Sequence, residues 1–189
     1  HHPLKRLDQI ASLSRGASPR PIDDFLTDAV DGVPWIKIGD VAAGAKYIES
    51  TAQKITKIGA EKSRLVLPGD FIISNSMSVG RPYILAIEGC VHDGWLVLAN
   101  IDKTVNRDYL YYALSSEAAQ SQFQAQALGG VVKNLNIDRA KIVTIAVPPL
   151  SQQIELVTEV EALEKTIALA QVLIDEAMQK KQAVMQRYL

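Results

Sequence analysis

The amino-acid sequence predicts an α+β fold, in which a globular domain of mixed or antiparallel strands and short helices precedes one long coiled-coil helix. Over residues 1–147, short apolar runs alternate with Gly, Pro, Asp and Asn, which is typical of short strands joined by turns. Residues 151–189 contain neither Gly nor Pro and repeat apolar residues at the spacing of a coiled coil. We therefore expect a domain over residues 1–147 and a helical region over residues 148–189.

Short runs rich in β-branched and aromatic residues predict the strands of the first region. They lie at residues 34–38, 70–74, 82–87, 95–99 and 141–147. Helical spacing of apolar residues predicts two helices, over residues 108–114 and 116–126, and Gly129 and Gly130 are expected to end the second. A short turn or helix is expected at residues 4–11. Because strands and helices do not alternate regularly, the pattern favours an α+β fold.

A single helix is predicted from Ser151, its expected N-cap, because Pro148 and Pro149 end the preceding strand. At about 1.5 Å per residue it would extend roughly 58 Å, well beyond a domain of this size. Its apolar seam, interrupted at Lys181, is expected to pair with an equivalent helix. The predicted interface residues are Leu156, Val160, Leu163, Ile167, Ala170, Ile174, Ala177 and Val184, with Tyr188 at the same spacing.

Composition excludes several classes of protein. Of the 189 residues, 48% are hydrophobic and 22% charged, which is ordinary for a globular protein and excludes a disordered chain. No apolar run is long enough to cross a membrane. The net charge of −1 argues against a uniformly basic coat for nucleic acid. Cys90 is the only cysteine, so no internal disulfide is expected, and a cytoplasmic location fits best.

Catalytic and metal-binding chemistry find little support in the sequence. His92 and Asp93 resemble a base and its orienting carboxylate, but neighbouring strand residues point to opposite faces and no nucleophile motif accompanies them. His1 and His2 resemble the remnant of an affinity tag and are given no role, which leaves one histidine and predicts no metal site. Residues 147–150 resemble the base-binding step of adenine methyltransferases, but they lack its polar group and aromatic ring.

Three polar segments predict a surface that binds nucleic acid. Residues 15–21, 74–81 and 129–134 combine arginine, lysine, asparagine or serine with small neighbours, and such side chains contact phosphates and base edges. Trp35 and Trp95 lie in apolar strand patterns and are expected to be buried and structural. The candidate DNA-binding residues are Arg15, Arg20, Asn75, Ser76, Ser78, Arg81, Lys133 and Asn134, with Lys37 and Arg64 as weaker phosphate contacts.

The ordered set of motifs resembles the specificity subunit of type I restriction-modification systems. The resemblance extends from Leu4 to the C-terminus and ends in a Pro-Pro-Leu-x-x-Gln step into the heptad helix. It is carried by residues 7–10, 15–19, 33–40, 67–74, 80–81, 109–114, 129 and 147–154. This chain has one recognition region and one helix, so it resembles half of a complete subunit, whether a natural half-subunit or a fragment.

The resemblance implies a non-catalytic subunit with one target-recognition domain, which directs its complex to one half of a bipartite site in double-stranded DNA. It implies modification and restriction subunits as partners, which would carry S-adenosylmethionine, ATP and Mg²⁺, so no cofactor is expected on this chain. The resemblance also implies that a half-subunit would form a homodimer in which the two copies of the helix pair antiparallel. Two alternatives stay open at this point: a coiled-coil assembly protein that does not bind DNA, and a small stand-alone enzyme.

Overall fold

The computed structural model describes residues 2–41, 44–76, 78–127 and 135–188, which form an α+β fold with a long C-terminal helix, as predicted. Within these ranges no helix is both long and apolar enough to cross a bilayer. The strands are β1 (Leu4–Arg6), β2 (Ser12–Arg15), β3 (Leu26–Thr27), β4 (Val33–Ile36), β5 (Tyr47–Ile48), β6 (Gln53–Ile55), β7 (Arg64–Val66), β8 (Phe71–Ser74), β9 (Pro82–Leu85), β10 (Gly89–Val91), β11 (Trp95–Ala99) and β12 (Thr144–Ala146). The helices are α1 (Lys57–Glu61), α2 (Arg107–Ser115), α3 (Glu117–Ala127), α4 (Ile137–Lys141) and α5 (Leu150–Tyr188).

The strands form two five-stranded sheets and one two-stranded sheet. The first large sheet has the order β3-β6-β4-β10-β7 and the second the order β2-β11-β8-β9-β5. Neighbouring strands are antiparallel except for β10 with β4 and β5 with β9, which are parallel. β1 pairs with β12 and joins the start of the chain to the strand that leads into α5.

The second large sheet is covered on both faces, which explains why its central strands are apolar throughout. In β8, Phe71 and Ile73 point into a core shared with the helices, whereas Ile72 points into a core shared with the other sheet. Strand β11 alternates in the same way, because successive side chains of a strand leave opposite faces. The domain therefore has three layers, namely the helices, the second large sheet and the first large sheet.

Several sequence-based boundaries need correction. The segment over residues 4–11 contains strand β1 and a short 3₁₀ turn at Leu7–Gln9, because pairing with β12 extends its first residues. The strand expected over residues 141–147 is shorter, since Lys141 still belongs to α4. Helix α5 begins at Leu150, so Ser151 lies within its first turn and is not the N-cap. The expected end of α3 at Gly129 and Gly130 lies outside the described residues.

The first turns of α5 are built into the domain. Gln153 is fully buried and Val157 nearly so. The amide oxygen of Gln153 accepts a hydrogen bond from the backbone N–H of Asn106 at 2.8 Å, and its amide nitrogen donates to the carbonyl oxygens of Thr104 and Pro148 at 2.9 and 2.8 Å. The last residue of the Pro-Pro-Leu-x-x-Gln motif therefore ties the helix to the loop before α2.

Charged and aromatic groups hold the next turn of α5 against the domain. The Lys46 ammonium lies 2.7 Å from the Asp108 carboxylate and 3.5 Å from that of Glu161 on α5. It also lies 4.8 Å from the ring centre of Tyr112, whose hydroxyl donates to Glu164 at 2.7 Å. Burial, followed by the hydrogen bond to Glu164, raises the pKa of Tyr112 to about 12. These contacts join α5 to the domain at Glu161 and Glu164.

Candidate nucleic-acid interface

Two loops meet at the edge of the domain where most of the predicted DNA-binding residues lie. The loop over residues 16–21 follows β2, and the turn at 92–94 joins β10 to β11. Gly16 permits their contact, because a Cβ atom at this position would lie 2.0 Å from the carbonyl oxygen of His92. The backbone N–H of Ala17 donates to the carbonyl of Val91 at 3.0 Å and secures the loop against the sheet.

Asp93 organises this edge through both its carboxylate and its backbone. The carboxylate accepts hydrogen bonds from Ser18 at 3.0 Å and from the Arg20 guanidinium at 2.9 Å. The carbonyl oxygen accepts from Nε of Arg15 at 2.9 Å and from Nδ2 of Asn75 at 2.8 Å. One residue thus sets the positions of two predicted DNA-binding arginines that belong to different elements.

The charge of Asp93 is well stabilised. Burial raises the pKa of its carboxyl group, but the hydrogen bonds from Ser18 and Arg20 outweigh burial and leave the pKa below its ordinary value. Arg20 remains mostly exposed, with 80% of its side chain accessible. Because a guanidinium carries five N–H donors and one nitrogen faces Asp93, the group can bind a phosphate or a guanine edge while it is held in place.

A cleft of about 930 Å³ opens beside this cluster. Arg20, Lys37, Ser76 and His92 supply polar groups to its wall. The Lys37 ammonium donates to Oε1 of Gln53 at 2.7 Å, and Gln53 also lines the cleft. The remaining wall is mainly apolar and consists of Pro19, Pro21, Ile22, Leu26, Trp35 and Ile38, with Ser18, Asp23 and Gly39.

His92 is a structural residue of the cleft wall. Its two ring nitrogens face the backbone N–H groups of Ile38 at 3.1 Å and Gly94 at 2.7 Å. Burial lowers the pKa of the imidazole despite the nearby Asp93 carboxylate. A neutral imidazole carries a proton on one nitrogen, so it accepts only one of these two hydrogen bonds. The packing of the ring against the backbone agrees with the turn or core role favoured by the sequence.

The structure brings together five of the predicted residues and buries a sixth. Arg15 ends strand β2 instead of lying in a loop, and Nε of Arg64 lies 3.4 Å from its carbonyl oxygen. Asn75 is buried, with 1% of its surface exposed, and its amide is bonded to Asp93. In this structure Asn75 thus supports the turn and is not presented on the surface. The group at this edge consists of Arg15, Arg20, Lys37, Arg64 and Ser76.

Among the described residues, Arg81 and Ser78 do not join this group. Arg81 is exposed and lines a separate groove with Tyr111, Ser115 and Gln120. Ser78 is exposed in the turn before it, where its carbonyl accepts the backbone N–H of Arg81 at 3.2 Å. Lys133 and Asn134 lie outside the described residues.

The sequence did not predict the roles of Asp93 and Gln53 at this edge. Asp93 was considered only as the partner of a catalytic histidine. The available signal was Asp93-Gly94 between two apolar runs, because Asp-Gly marks a tight turn. Its contacts with residues 15–20 are separated by more than seventy positions, as in Arg20 to Asp93, and no local pattern reports such contacts.

The buried tryptophans provide a test of how DNA approaches. Trp35 and Trp95 are 2% and 0% exposed, as predicted, and Nε1 of Trp95 donates to the carbonyl of Ile36 at 3.2 Å. We expect a bound duplex to leave the fluorescence of both tryptophans unquenched. Comparing the Trp35→Phe and Trp95→Phe variants with the parent chain assigns any change to one ring. Quenching that disappears in one variant would instead identify that ring as a base-stacking surface.

Comparison with known families assigns the chain. The family model for the type I restriction modification DNA specificity domain matches residues 4–179. This range includes the domain, Asp93 with the side chains bonded to it, and most of α5. The resemblance deduced from the ordered motifs is therefore confirmed.

Solved structures share the fold at low sequence identity. The HsdS subunit from Thermoanaerobacter tengcongensis is 20% identical over 88% of this chain, with a TM-score of 0.69. A structure reported for complex assembly and conformational transition of the type I R-M system is 19% identical over 89%, with a TM-score of 0.72. The S subunit from M. genitalium is 14% identical over 87%, with a TM-score of 0.58.

These comparisons also define how much of a subunit the chain represents. It covers 38% of the first of these proteins and 39% of the other two. The match of the family model over most of the chain, together with the shared fold, leads to one conclusion: the chain belongs to the type I restriction-modification DNA specificity domain family.

Proposed function

We propose that this chain recognises one half of a bipartite site in double-stranded DNA and directs a type I restriction-modification complex to it, without catalysing a reaction itself. The observation that carries the proposal is that Asp93 binds two arginines beside the cleft. Its carbonyl oxygen accepts from Arg15 and its carboxylate from Arg20. Cations held in fixed positions suit recognition, because a guanidinium that is already ordered loses little conformational freedom on binding.

The proposed partners follow from membership of the family. Modification subunits would bind S-adenosylmethionine and methylate adenine, and restriction subunits would supply ATP- and Mg²⁺-dependent functions. In this proposal the chain binds no cofactor itself. Its contribution is to select the DNA sequence and to hold the other subunits in position.

We further propose a homodimer through α5. Beyond Val160 the seam has no partner among the described residues, and Leu163, Ile167 and Ile174 are all more than half exposed. Burial of each such side chain contributes about 1.5–3 kcal/mol. Antiparallel pairing would cover the seam and place one recognition domain at each end, so the length of α5 would set the distance between the half-sites.

Loss of the clustered cations is expected to reduce DNA binding in two distinguishable ways. An alanine substitution of a base-reading arginine should cost about 1–3 kcal/mol of binding free energy and relax selectivity at one base pair. An alanine substitution of a phosphate contact should weaken all sequences equally and lower the salt dependence. Selection from a random duplex pool, followed by titration of Arg15→Ala, Arg20→Ala and Lys37→Ala at several salt concentrations, measures both effects.

Arg6→Ala is the matched control, because Arg6 also pairs with a carboxylate, that of Asp8, but lies on β1. We expect this variant to bind like the parent protein. If the triple variant of Arg15, Arg20 and Lys37 bound DNA as tightly as Arg6→Ala, the proposed interface would be wrong. If the parent chain selected no sequence from the pool, a coiled-coil assembly protein would be the better interpretation.

A further inference from the structure

A groove lies where the domain meets the beginning of α5. Its volume is about 450 Å³ and its wall is mainly apolar. Leu156, the first residue of the seam, lines it and is 40% exposed. The other side is formed by α2, α3 and the β1-β12 pair and includes Leu4, Tyr109, Tyr112, Ala113 and Ile145. The groove therefore continues the seam onto the surface of the domain.

The direction of the seam leaves room for a second helix beside the domain. Gln153 and Val157 are buried against the domain, whereas Leu156 lies one residue, or about 100°, around the helix from Val157. A helix that follows the seam would thus run alongside the domain. Its end would reach the groove at Leu156.

One antiparallel register uses the whole seam. It places Leu156 opposite Tyr188, Val160 opposite Val184, and Leu163 opposite Lys181 of the second copy. Further along, Ile167 faces Ala177 and Ala170 faces Ile174, so a small residue meets a large one in both central layers. A shift of one heptad in either direction would leave one end of the seam without a partner.

The residues that flank the seam favour the same register. Glu159 lies across from Arg187 of the second copy, which pairs opposite charges. Leu173 lies across from its own equivalent at the two-fold axis, and its side chain is 66% exposed in one chain. Val157 lies across from Met185, on the side of the helix that faces the domain. The charge and apolar patterns thus agree with the pairing of the seam.

We propose that two copies of this chain pair in this register and that Met185 and Tyr188 of each copy occupy the groove of the other. Met185 and Tyr188 are 43% and 79% exposed in the single chain. The groove offers them an apolar wall and the ring of Tyr112. The dimer would then be held by contacts between helix and domain as well as between helices. This inference rests on the homodimer proposed above.

Cross-linking with a short bifunctional thiol reagent tests the register. Leu173→Cys is expected to give a covalent dimer because the two copies meet at the two-fold axis. Leu169→Cys is the matched control, since Leu169 is equally exposed at 69% but lies outside the seam and its flanks. The parent chain, whose one cysteine is buried, controls for background. Equal cross-linking of both variants would overturn the register.

A second pair of variants tests the ends of the seam. Leu156→Cys with Tyr188→Cys should cross-link efficiently, and Leu163→Cys with Tyr188→Cys, shifted by one heptad, should do so poorly. The reverse result would overturn the proposal.

Tyr188→Ala should raise the dimer dissociation constant by about a hundredfold, because each dimer loses the ring twice, whereas Tyr188→Phe should leave it unchanged. If Tyr188→Ala and Tyr188→Phe had equal dimer dissociation constants, the proposed contact of Tyr188 with the groove would be wrong.

None of these measurements uses DNA, so a failure of DNA recognition leaves them intact. A monomeric parent chain in sedimentation equilibrium would overturn both the homodimer and this inference. A dimer that does not cross-link through Leu173→Cys would overturn only the register and the groove.

Discussion

Ile174→Asp is expected to convert the proposed dimer into monomers. In the proposed register each dimer buries Ile174 twice, against Ala170 of the other copy. The substitution removes about 1.5–3 kcal/mol of apolar burial per copy and places a carboxylate in an apolar layer, which adds a desolvation cost. We therefore expect the dimer dissociation constant, measured by sedimentation equilibrium, to rise by at least about a thousandfold.

Val172→Asp is the matched control for this substitution. Val172 and Ile174 are 55% and 52% exposed in the single chain, but Val172 lies on the side of α5 opposite the seam. Both variants should retain the fold of the recognition domain. Dissociation of both variants to the same extent would show that dimerisation does not depend on the seam.

The loss of the dimer should also appear in DNA binding. A dimer can contact two half-sites on one duplex, and the second contact then occurs at high effective concentration. The Ile174→Asp variant should bind a duplex with two half-sites no more tightly than a duplex with one. If it kept the preference of the parent chain for two half-sites, α5 would not be the element that joins the domains.

Gln153→Ala is expected to lower the free energy of unfolding of the domain by about 3 kcal/mol. The substitution leaves the N–H of Asn106 and the carbonyls of Thr104 and Pro148 without the partners that they have in the structure, and each unsatisfied buried group costs about 1–3 kcal/mol. Urea denaturation followed by tryptophan fluorescence measures the change. Gln152→Ala is the control, because Gln152 is exposed.

The Gln153 substitution also tests whether the contacts between α5 and the domain hold the helix at a fixed angle to the domain. If Gln153 and the ion pairs of Lys46 with Asp108 and Glu161 set the orientation of α5, the Gln153→Ala variant should bind duplexes with a wider range of spacer lengths between the half-sites than the parent chain. Equal loss of stability in the Gln152 and Gln153 variants would contradict the assigned role of the buried amide.

Local pattern was sufficient for much of the fold. The central strands β8 and β11 and the helix α5 could be predicted from short-range spacing, because periodicity and helix-breaking prolines act over a few residues. The sequence did not predict the strands β1, β2, β3, β5, β6, β7 and β10. They are two to four residues long, and their pairing partners, not their own composition, make them strands.

In the candidate site, too, some features follow from local sequence and others depend on how distant segments pack. Residue type alone suggested Arg15 and Arg20, because exposed arginines beside small residues are common in DNA-binding loops. The burial of Asn75 and the separation of Arg81 from the cleft depend on how the turn over residues 74–81 packs, which its composition does not report. Asp93 could not be assigned from its neighbours, since its partners lie on other loops.

The sequence by itself determined the α+β class, the long helix with its apolar seam and the family, because these depend on residue types and spacings along the chain. Only the tertiary structure decided which cations stand together, which asparagine is buried and how α5 is joined to the domain. Those features depend on contacts between residues far apart in sequence, such as Gln153 with Thr104. Such contacts form only when the sheets and helices pack.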